Sequence, residues 1–436
     1  MLPSAAKVQG RDSLAGPQFS TAYSLSFLLL MSALLTAVAA WRSQVDKLHG
    51  GPALERVCGD LFCDPNQPGR EADRLADADP GTAAGEREPE ALRMSGLALA
   101  NDPASPARWC DLGELYMALG PPGYQDEARA CFRRAAELGD RNPIILQRIA
   151  NYDFQTGDAA DALARCYRVL ERVRQFDGII FSSYQRFGIP QAEVLAHGVP
   201  PEPEPVQAYL RFLFMRDDPG PAGAAWRWAS GLAPAPLTDP LAQAYAGLLW
   251  RHAEFAPAAE AWAAYLGPRA GDYPGRNRVF NGSFASEPSN ENPLDWRRDP
   301  PDGVEIERDG QVHQGGPYSM RTKFGGTQNL DFHGLSQTQP VTPGIYRLRA
   351  SIRSEGITTD QGVRLRALDP EAPGRLDAAT PAITGSSDWQ TVELRIEVRP
   401  PTRLVRVELA RQPSLKFDNL IAGTVWLDAV SLTSAP

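Results

Sequence analysis

Three patterns of apolar and polar residues follow one another along the chain. An uncharged apolar run occupies residues 23–41, apolar residues at helical spacing occupy residues 71–270, and alternating apolar and polar residues mark the part from 276 to 436. About 20 apolar residues cross a bilayer as a helix, spacings of three and four indicate amphipathic helices, and alternation indicates half-buried strands. We therefore expect a multidomain α plus β protein with one N-terminal membrane helix, an α-solenoid and an antiparallel β-sandwich.

The apolar run predicts a transmembrane anchor that follows an N-terminal tail of residues 1–22. Tyr23 and Trp41 lie at its two ends, where aromatic residues meet the membrane interface. Small residues at positions 37–39 fit a cleavage site, so a cleaved signal peptide is the alternative. In either case we expect an exported chain. With the anchor retained, it is a single-pass protein of a bacterial inner membrane whose bulk is periplasmic or extracellular.

Cysteine spacing supports this expectation. Cys58 and Cys63 lie in the predicted linker, residues 42–70, and are a candidate disulfide because an oxidising compartment permits a small disulfide loop. The other three cysteines fall in the helical repeats, where a thiol is usually a small apolar core residue.

The helical pattern of residues 71–270 repeats. The clearest unit combines large and small apolar residues at fixed spacings with a closing proline: Trp109, Leu112, Gly113, Tyr116, Ala128, Phe132, Ala135 and Pro143. This unit resembles the tetratricopeptide repeat, although its hairpin loop, "GPPGYQ", is longer than the family's. The resemblance implies a stacked solenoid whose concave surface binds a protein partner. A solenoid that serves only as a spacer is the alternative.

From residue 276 the period changes to two. In "IYRLRASIR" the residues Tyr346, Leu348, Ala350 and Ile352 share one face, and arginines and a serine take the other. Similar runs, separated by Gly, Pro and Asp turns, indicate an antiparallel sandwich.

The order of short motifs in this part is also informative. "NRVFNGSF", "PLDWRR", "YSMRTKF", "LSQTQPVTPGIYRLRASIRS", "SSDWQTVELRIE" and "IAGTVWLDAVSL" follow one another as in a carbohydrate-binding-module-like jelly roll, the galactose-binding-like sandwich. The chain as a whole resembles bacterial envelope proteins that combine one membrane segment, degenerate tetratricopeptide repeats and this domain. Some of them are suspected of acting beside exopolysaccharide or O-antigen machinery.

Asp428 stands where the last strand, "GTVWLDAVSL", changes the phase of its alternation. The resemblance implies that this strand meets a first strand at residues 281–284, and that Asp428 and Asn281 belong to a structural calcium site. A further acidic ligand of the family is replaced here by Ala285. We therefore favour a β-bulge at which backbone N–H groups satisfy the carboxylate, with calcium as the alternative and no certain cofactor.

Candidate sugar ligands lie in and near "GTQNLDFHGLSQ", because an aromatic face with polar neighbours can bind a sugar. They are Tyr318, Asn329, Asp331, Phe332, His333 and Gln337. A solvated loop is the alternative for this stretch. Trp296 and Trp389 are expected to fill the core. An arginine row that includes Arg347, Arg349 and Arg364 is expected to be a solvated sheet face, with a surface for an anionic glycan as the alternative.

Charge and motifs exclude several classes of function. The formal net charge of −9 does not favour nucleic-acid binding, which needs a basic surface. The sequence contains no nucleophile elbow, P-loop or zinc-protease motif, so we expect no enzyme. The leading hypothesis is an envelope-anchored scaffold in exopolysaccharide or cell-surface glycan assembly, which binds a protein through the solenoid and glycan through the sandwich. The alternative is a surface lectin whose repeats form a stalk.

Overall fold

The computed structural model describes residues 69, 70, 72, 84–119 and 122–435. The predicted membrane segment and the Cys58–Cys63 pair lie outside these residues. Every helix within them is too short or too polar to span a bilayer. The described residues fall into two compact units, which divide between residues 169 and 170, inside the predicted solenoid.

The first unit is helical where it is described. Its helices are α1 (Ala84–Asn101), α2 (Pro106–Leu119), α3 (Gln125–Gly139), α4 (Pro143–Thr156) and α5 (Ala159–Leu170). Gly113 of α2 packs against Phe132 of α3, so closely that a Cβ there would lie 2.9 Å from the ring. Tyr152 of α4 stacks on the same ring with 4.2 Å between centroids. This packing is compatible with a tetratricopeptide-like repeat, in which small residues let neighbouring helices approach.

The second unit begins with further helices, two of which start at a proline. They are α6 (Asp177–Arg186), α7 (Gln191–Glu193), α8 (Pro203–Met215), α9 (Pro219–Ser230), α10 (Asp239–Arg251) and α11 (Phe255–Leu266). Proline suits the first turn because the missing N–H has no helical partner there. Aromatic rings join these helices: Trp226 of α9 stacks on Tyr245 of α10 with 4.6 Å between centroids.

Ten strands follow in two antiparallel five-stranded sheets. Sheet 1 has the order β2-β3-β10-β5-β8 and sheet 2 has the order β1-β4-β9-β6-β7. The strands are β1 (Arg297–Arg298), β2 (Val304–Asp309), β3 (Ser319–Gly325), β4 (Phe332–Pro340), β5 (Gly344–Ile357), β6 (Arg364–Leu368), β7 (Asp377–Ala379), β8 (Gly385–Val398), β9 (Leu404–Arg411) and β10 (Ala422–Ser434).

The two sheets enclose one apolar core. Trp296 is fully buried in it, whereas Trp389, expected in the core, is only half-buried on β8. Leu335 of β4 and Val407 and Leu409 of β9 point into this core. Because side chains alternate along a strand, Ser336, Thr338, Arg406 and Glu408 point to the outer face of sheet 2.

The last helix and the sandwich share a second set of buried contacts. Trp262 of α11 meets Phe280 edge-on, with 5.7 Å between centroids. Tyr273 donates from its hydroxyl to Gln339 Oε1 of β4 at 3.1 Å. All three rings are buried. The segment that joins the helices to the strands is therefore packed against the sandwich.

Candidate functional site

The predicted sugar ligands do not form one surface. Phe332 is fully buried in the sandwich core, edge-on to Phe324. Gln337 is buried as well, where its amide accepts from Phe280 N–H at 3.0 Å and donates to Phe280 C=O at 2.8 Å. Neither can reach a ligand on the surface, so both assignments are wrong: these residues hold the fold together.

Two further predicted ligands are engaged within the protein. Tyr318 is half-buried, and the guanidinium carbon of Arg308 lies 3.8 Å from its ring centroid. Asn329 accepts from Ser414 N–H at 2.9 Å and from the buried Arg411 at 3.0 Å, and its amide donates to Ser414 C=O at 2.8 Å. Asn329 therefore anchors the base of the loop that follows β9.

Asp331 and His333 are exposed and lie together. His333 Nε2 is 3.0 Å from the Asp331 carboxylate, and its Nδ1 is 3.0 Å from Glu408 of β9. Glu408 is buried and also pairs with Arg366 at 3.1 Å, which in turn binds Asp377 on β7. Hydrogen bonding to Arg366 holds the pKa of Asp377 below its usual range. These five residues form a charged row across β4, β9, β6 and β7.

Asp428 lies at a bulge of β10, where the register with β5 shifts between Asp428 and Ser431. It is fully buried. Its Oδ2 accepts from the N–H groups of Gln314 and Gly315 at 2.8 and 2.9 Å, and its Oδ1 accepts from Ala429 N–H at 2.6 Å. Backbone donors thus satisfy the carboxylate, which agrees with the bulge interpretation of the phase change.

The first strand that the resemblance implies for residues 281–284 is not formed. Residues 281–284 form a turn instead of a first strand, with positive φ at Asn281 and Phe284. This turn meets the bulge through Val430 N–H, which donates to Gly282 C=O at 2.9 Å. A Cβ on Gly282 would lie 2.0 Å from Val430 O, so the contact requires glycine. The carboxylate itself is satisfied from the loop before β3 and from its own strand.

Asp428 and Asn281 do not fit a calcium site. The side-chain oxygen of Asn281 accepts from Ser286 N–H at 3.1 Å, while both oxygens of Asp428 accept from N–H groups. Within the described part of the chain, no cluster of three or more His, Cys, Asp or Glu residues could hold a metal ion. Calcium also needs six to eight oxygen ligands.

We expect Asp428→Asn to lower the free energy of unfolding by about 1–3 kcal/mol, because the amide nitrogen would face a buried N–H donor that needs an acceptor. Urea unfolding of the full chain, with EDTA and with added calcium, measures this loss. Asp418→Asn, at an exposed position, is the control and should leave stability unchanged. A marked gain of wild-type stability with calcium would contradict this account of Asp428.

A further constellation of polar groups lies in a groove on the outer face of sheet 2. The groove has a volume of about 600 Å³. Its floor is formed by β4 and β9, and its walls by the 290–293 loop, the 370–371 turn and one helix. The residues that line it include His333, Ser336, Thr338, Leu404, Arg406, Asn290, Glu291, Asn292, Pro293, Asp295, Arg297, Asp299, Pro370, Glu371 and Trp250. A concave site with convergent polar groups is the usual form of a ligand pocket.

Several of these groups retain hydrogen-bonding capacity. Asn292 is 2% exposed, and its Nδ2 has no hydrogen-bond partner in the part of the chain that the structure describes. Arg406 makes one long contact there, from Nε to Thr338 Oγ1 at 3.4 Å, which leaves its terminal N–H groups for a ligand. Ser336 and Thr338 add hydroxyls from the floor. A buried donor without a partner costs free energy unless a ligand or water accepts from it.

The acidic residues of the groove are held by neighbours. Asp299 pairs with Arg297 at 3.4 Å. The pKa of Glu371 is lowered by hydrogen bonds from Arg403. Burial raises the pKa of Asp295 to about 6, although Trp296 and Ser289 donate to it from their backbone N–H groups at 2.7 and 3.1 Å. Asp299 and Glu371 are therefore each paired with an arginine.

Of the predicted ligands, only His333 lines this groove. Ser336 lies in "GTQNLDFHGLSQ", the stretch for which a ligand rim and a solvated loop were the two alternatives, and no role was assigned to Thr338 or Arg406. The alternation of side chains around these positions is the signal that could have located the floor. Trp250 was assigned to a helical repeat, and nothing local connects it to a strand that begins more than 80 residues later.

A second groove, of about 670 Å³, lies among α9, α10 and α11. Trp226, Tyr245 and Leu249 line it, and Arg227, Glu254 and Glu260 add charge.

No protein-family model and no curated protein matches the chain. Among solved structures, a family 61 carbohydrate-binding module in complex with beta-1,4-galactotriose is 18% identical over 37% of this chain and 100% of that one, with a TM-score of 0.25. A family 4 module is 14% identical over 36% of this chain and 99% of its own, at 0.28.

A module of Cellvibrio mixtus lichenase 5A, in complex with cellotriose, is 11% identical over 33% of this chain and 98% of that one, with a TM-score of 0.21. All three are carbohydrate-binding modules. At these identities and TM-scores the similarity carries no argument about what this chain binds.

Proposed function

We propose that this chain is a non-catalytic binding protein whose groove on sheet 2 holds an oligosaccharide. The observation that carries the proposal is the groove itself, with hydroxyl, amide and guanidinium groups on its floor and walls. A sugar offers many hydroxyls, each able to donate and accept, and such a ligand matches dispersed neutral and polar groups.

The paired charges favour a neutral glycan. Asp299 and Glu371 of the groove each have an arginine partner. An anionic polymer would meet Glu291 and these carboxylates as well as Arg406, and an unpaired charge removed from water costs free energy. Hydrogen bonds to an uncharged sugar avoid that cost.

The pKa values and hydrogen bonds of the carboxylates in the groove do not favour glycoside hydrolysis. That reaction needs a carboxylic acid with a raised pKa and a second carboxylate across the scissile bond. Hydrogen bonds from Arg403 lower the pKa of Glu371, so it is poorly suited to donate a proton. Asp295 has a raised pKa of about 6, but its oxygens accept backbone N–H groups at the base of a loop. We therefore assign these groups to structure and propose no catalytic activity.

Arg406→Ala should weaken glycan binding about tenfold or more, since a charge-assisted hydrogen bond contributes roughly 1.5–3 kcal/mol. The full chain is first screened on a glycan array, where we expect dissociation constants of about 10⁻⁵ to 10⁻³ M, and the best oligosaccharide is then titrated calorimetrically. Arg349→Ala, an exposed arginine on sheet 1, is the matched control and should bind like wild type.

Two results would overturn the proposal. One is the absence of binding to every neutral and anionic glycan on the array. The other is equal weakening by Arg349→Ala and Arg406→Ala, which would move the site to sheet 1 or indicate non-specific charge attraction.

The second part of the proposal concerns the helices. We assign to the groove among α9–α11 the binding of a protein segment, because it combines an aromatic floor, Trp226 and Tyr245, with charges of both signs. Aromatic residues are enriched where protein interfaces gain most of their energy. With the predicted anchor, this describes an envelope scaffold at a bacterial inner membrane, with its bulk exported, in exopolysaccharide or surface-glycan assembly. The alternative remains a lectin with a helical stalk.

A photo-crosslinking amino acid at Arg227, beside the helical groove, should capture one defined protein in intact cells. The same amino acid at Arg211, an exposed residue of α8, is the control and should capture none. Equal capture at both positions, or none at either, would favour the stalk.

A further inference from the structure

We propose that Trp250 of α10 is the sugar-stacking platform of the groove, so that the glycan site is built jointly by the α10–α11 pair and the sandwich. The inference rests on the proposed glycan function. Of the described residues that line the groove, Trp250 alone comes from a helix, and it carries the one large aromatic ring. It lies in the last turn of α10 and is half-buried.

A chain of contacts holds Trp250 against the groove wall. Its ring meets Phe255, the first residue of α11, edge-on with 4.7 Å between centroids. The guanidinium carbon of Arg403 lies 4.7 Å from the centroid of that phenylalanine. Arg403 also donates to the Glu371 carboxylate at 3.1 and 2.7 Å. Trp250 and Glu371 both line the groove, so each end of this chain lies at the site.

A second contact joins the same helix to Ser289, which precedes the 290–293 loop. Gln243 of α10 accepts from the hydroxyl of Ser289 at 3.4 Å. Ser289 donates its N–H to Asp295, which lines the groove. Contacts therefore connect α10 to both loops that form the walls, and they fix the Trp250 ring in place before a ligand binds. Preorganisation of this kind reduces the entropy that binding would otherwise cost.

The chemistry of sugar binding explains what a tryptophan at position 250 would contribute to the groove. The polar groups of the groove exchange hydrogen bonds with water for hydrogen bonds with sugar, and the net gain of each is small. A tryptophan ring adds apolar contact area and a π-face for the C–H groups of a pyranose, while its neighbours bind the hydroxyls. The ligand class that fits is a neutral pyranose oligosaccharide with one apolar ring face.

The test compares variants of the full chain against the oligosaccharide selected on the array. Trp250→Ala should raise the dissociation constant about tenfold or more, and Trp250→Phe, which keeps a smaller ring, about two- to fivefold. Ligand should change the tryptophan fluorescence of the wild type, and this change should be largely lost in Trp250→Phe. Trp389→Ala, a half-buried tryptophan of sheet 1, is the control and should retain both affinity and signal.

The outcomes separate this inference from the proposed function. If the wild type binds no glycan, the proposed function fails and the inference fails with it. If the wild type binds, Arg406→Ala weakens binding and Trp250→Ala binds like wild type, only the inference is overturned. Circular dichroism checks the fold of each variant. If Trp250→Ala does not fold, Trp250→Phe decides: unchanged affinity together with an unchanged fluorescence response would contradict a stacking role.

Discussion

The rest of the site depends on the buried amide of Gln337, which binds both the N–H and the C=O of Phe280. A buried peptide group without partners costs roughly 1–3 kcal/mol for each group, so this pair of bonds fixes the segment after the helices onto β4. The next inward residue of β4, Gln339, accepts from Tyr273 and donates to Leu294 C=O. Trp262 of α11 packs on Phe280, and this contact attaches the last helix to the same segment.

The alternation of side chains along β4 links the contact between the helices and the sandwich to the groove. Its inward residues, Gln337 and Gln339, hold the helical connection, while the outward residues that alternate with them, Ser336 and Thr338, belong to the groove floor. A slip of one residue would exchange the two sets. The charged row from Asp331 to Asp377 ties β4 to β9, β6 and β7 on the outer face and opposes such a slip. The register of β4 that places Gln337 and Gln339 against the helical connection therefore also places Ser336 and Thr338 in the groove.

Local patterns predicted much of the sandwich, and non-local contacts account for most of the errors. Alternation indicated the strands, and the phase change at Asp428 indicated a bulge, because both depend on neighbouring residues. Phe332 and Gln337 were misplaced because the polar stretch that contains them was considered a ligand rim or a solvated loop, whereas both lie in β4, a strand paired with β9. Trp250 reaches the groove through tertiary packing, which no local pattern records.

Native-state hydrogen exchange of the full chain tests the central claim, that the last helices and the sandwich fold as one unit. We expect the slowest amides of α11 and those of β4 to open with the same free energy and the same dependence on denaturant, as in a single cooperative unit. Opening of α11 at a clearly lower free energy, while β4 stays protected, would contradict the claim.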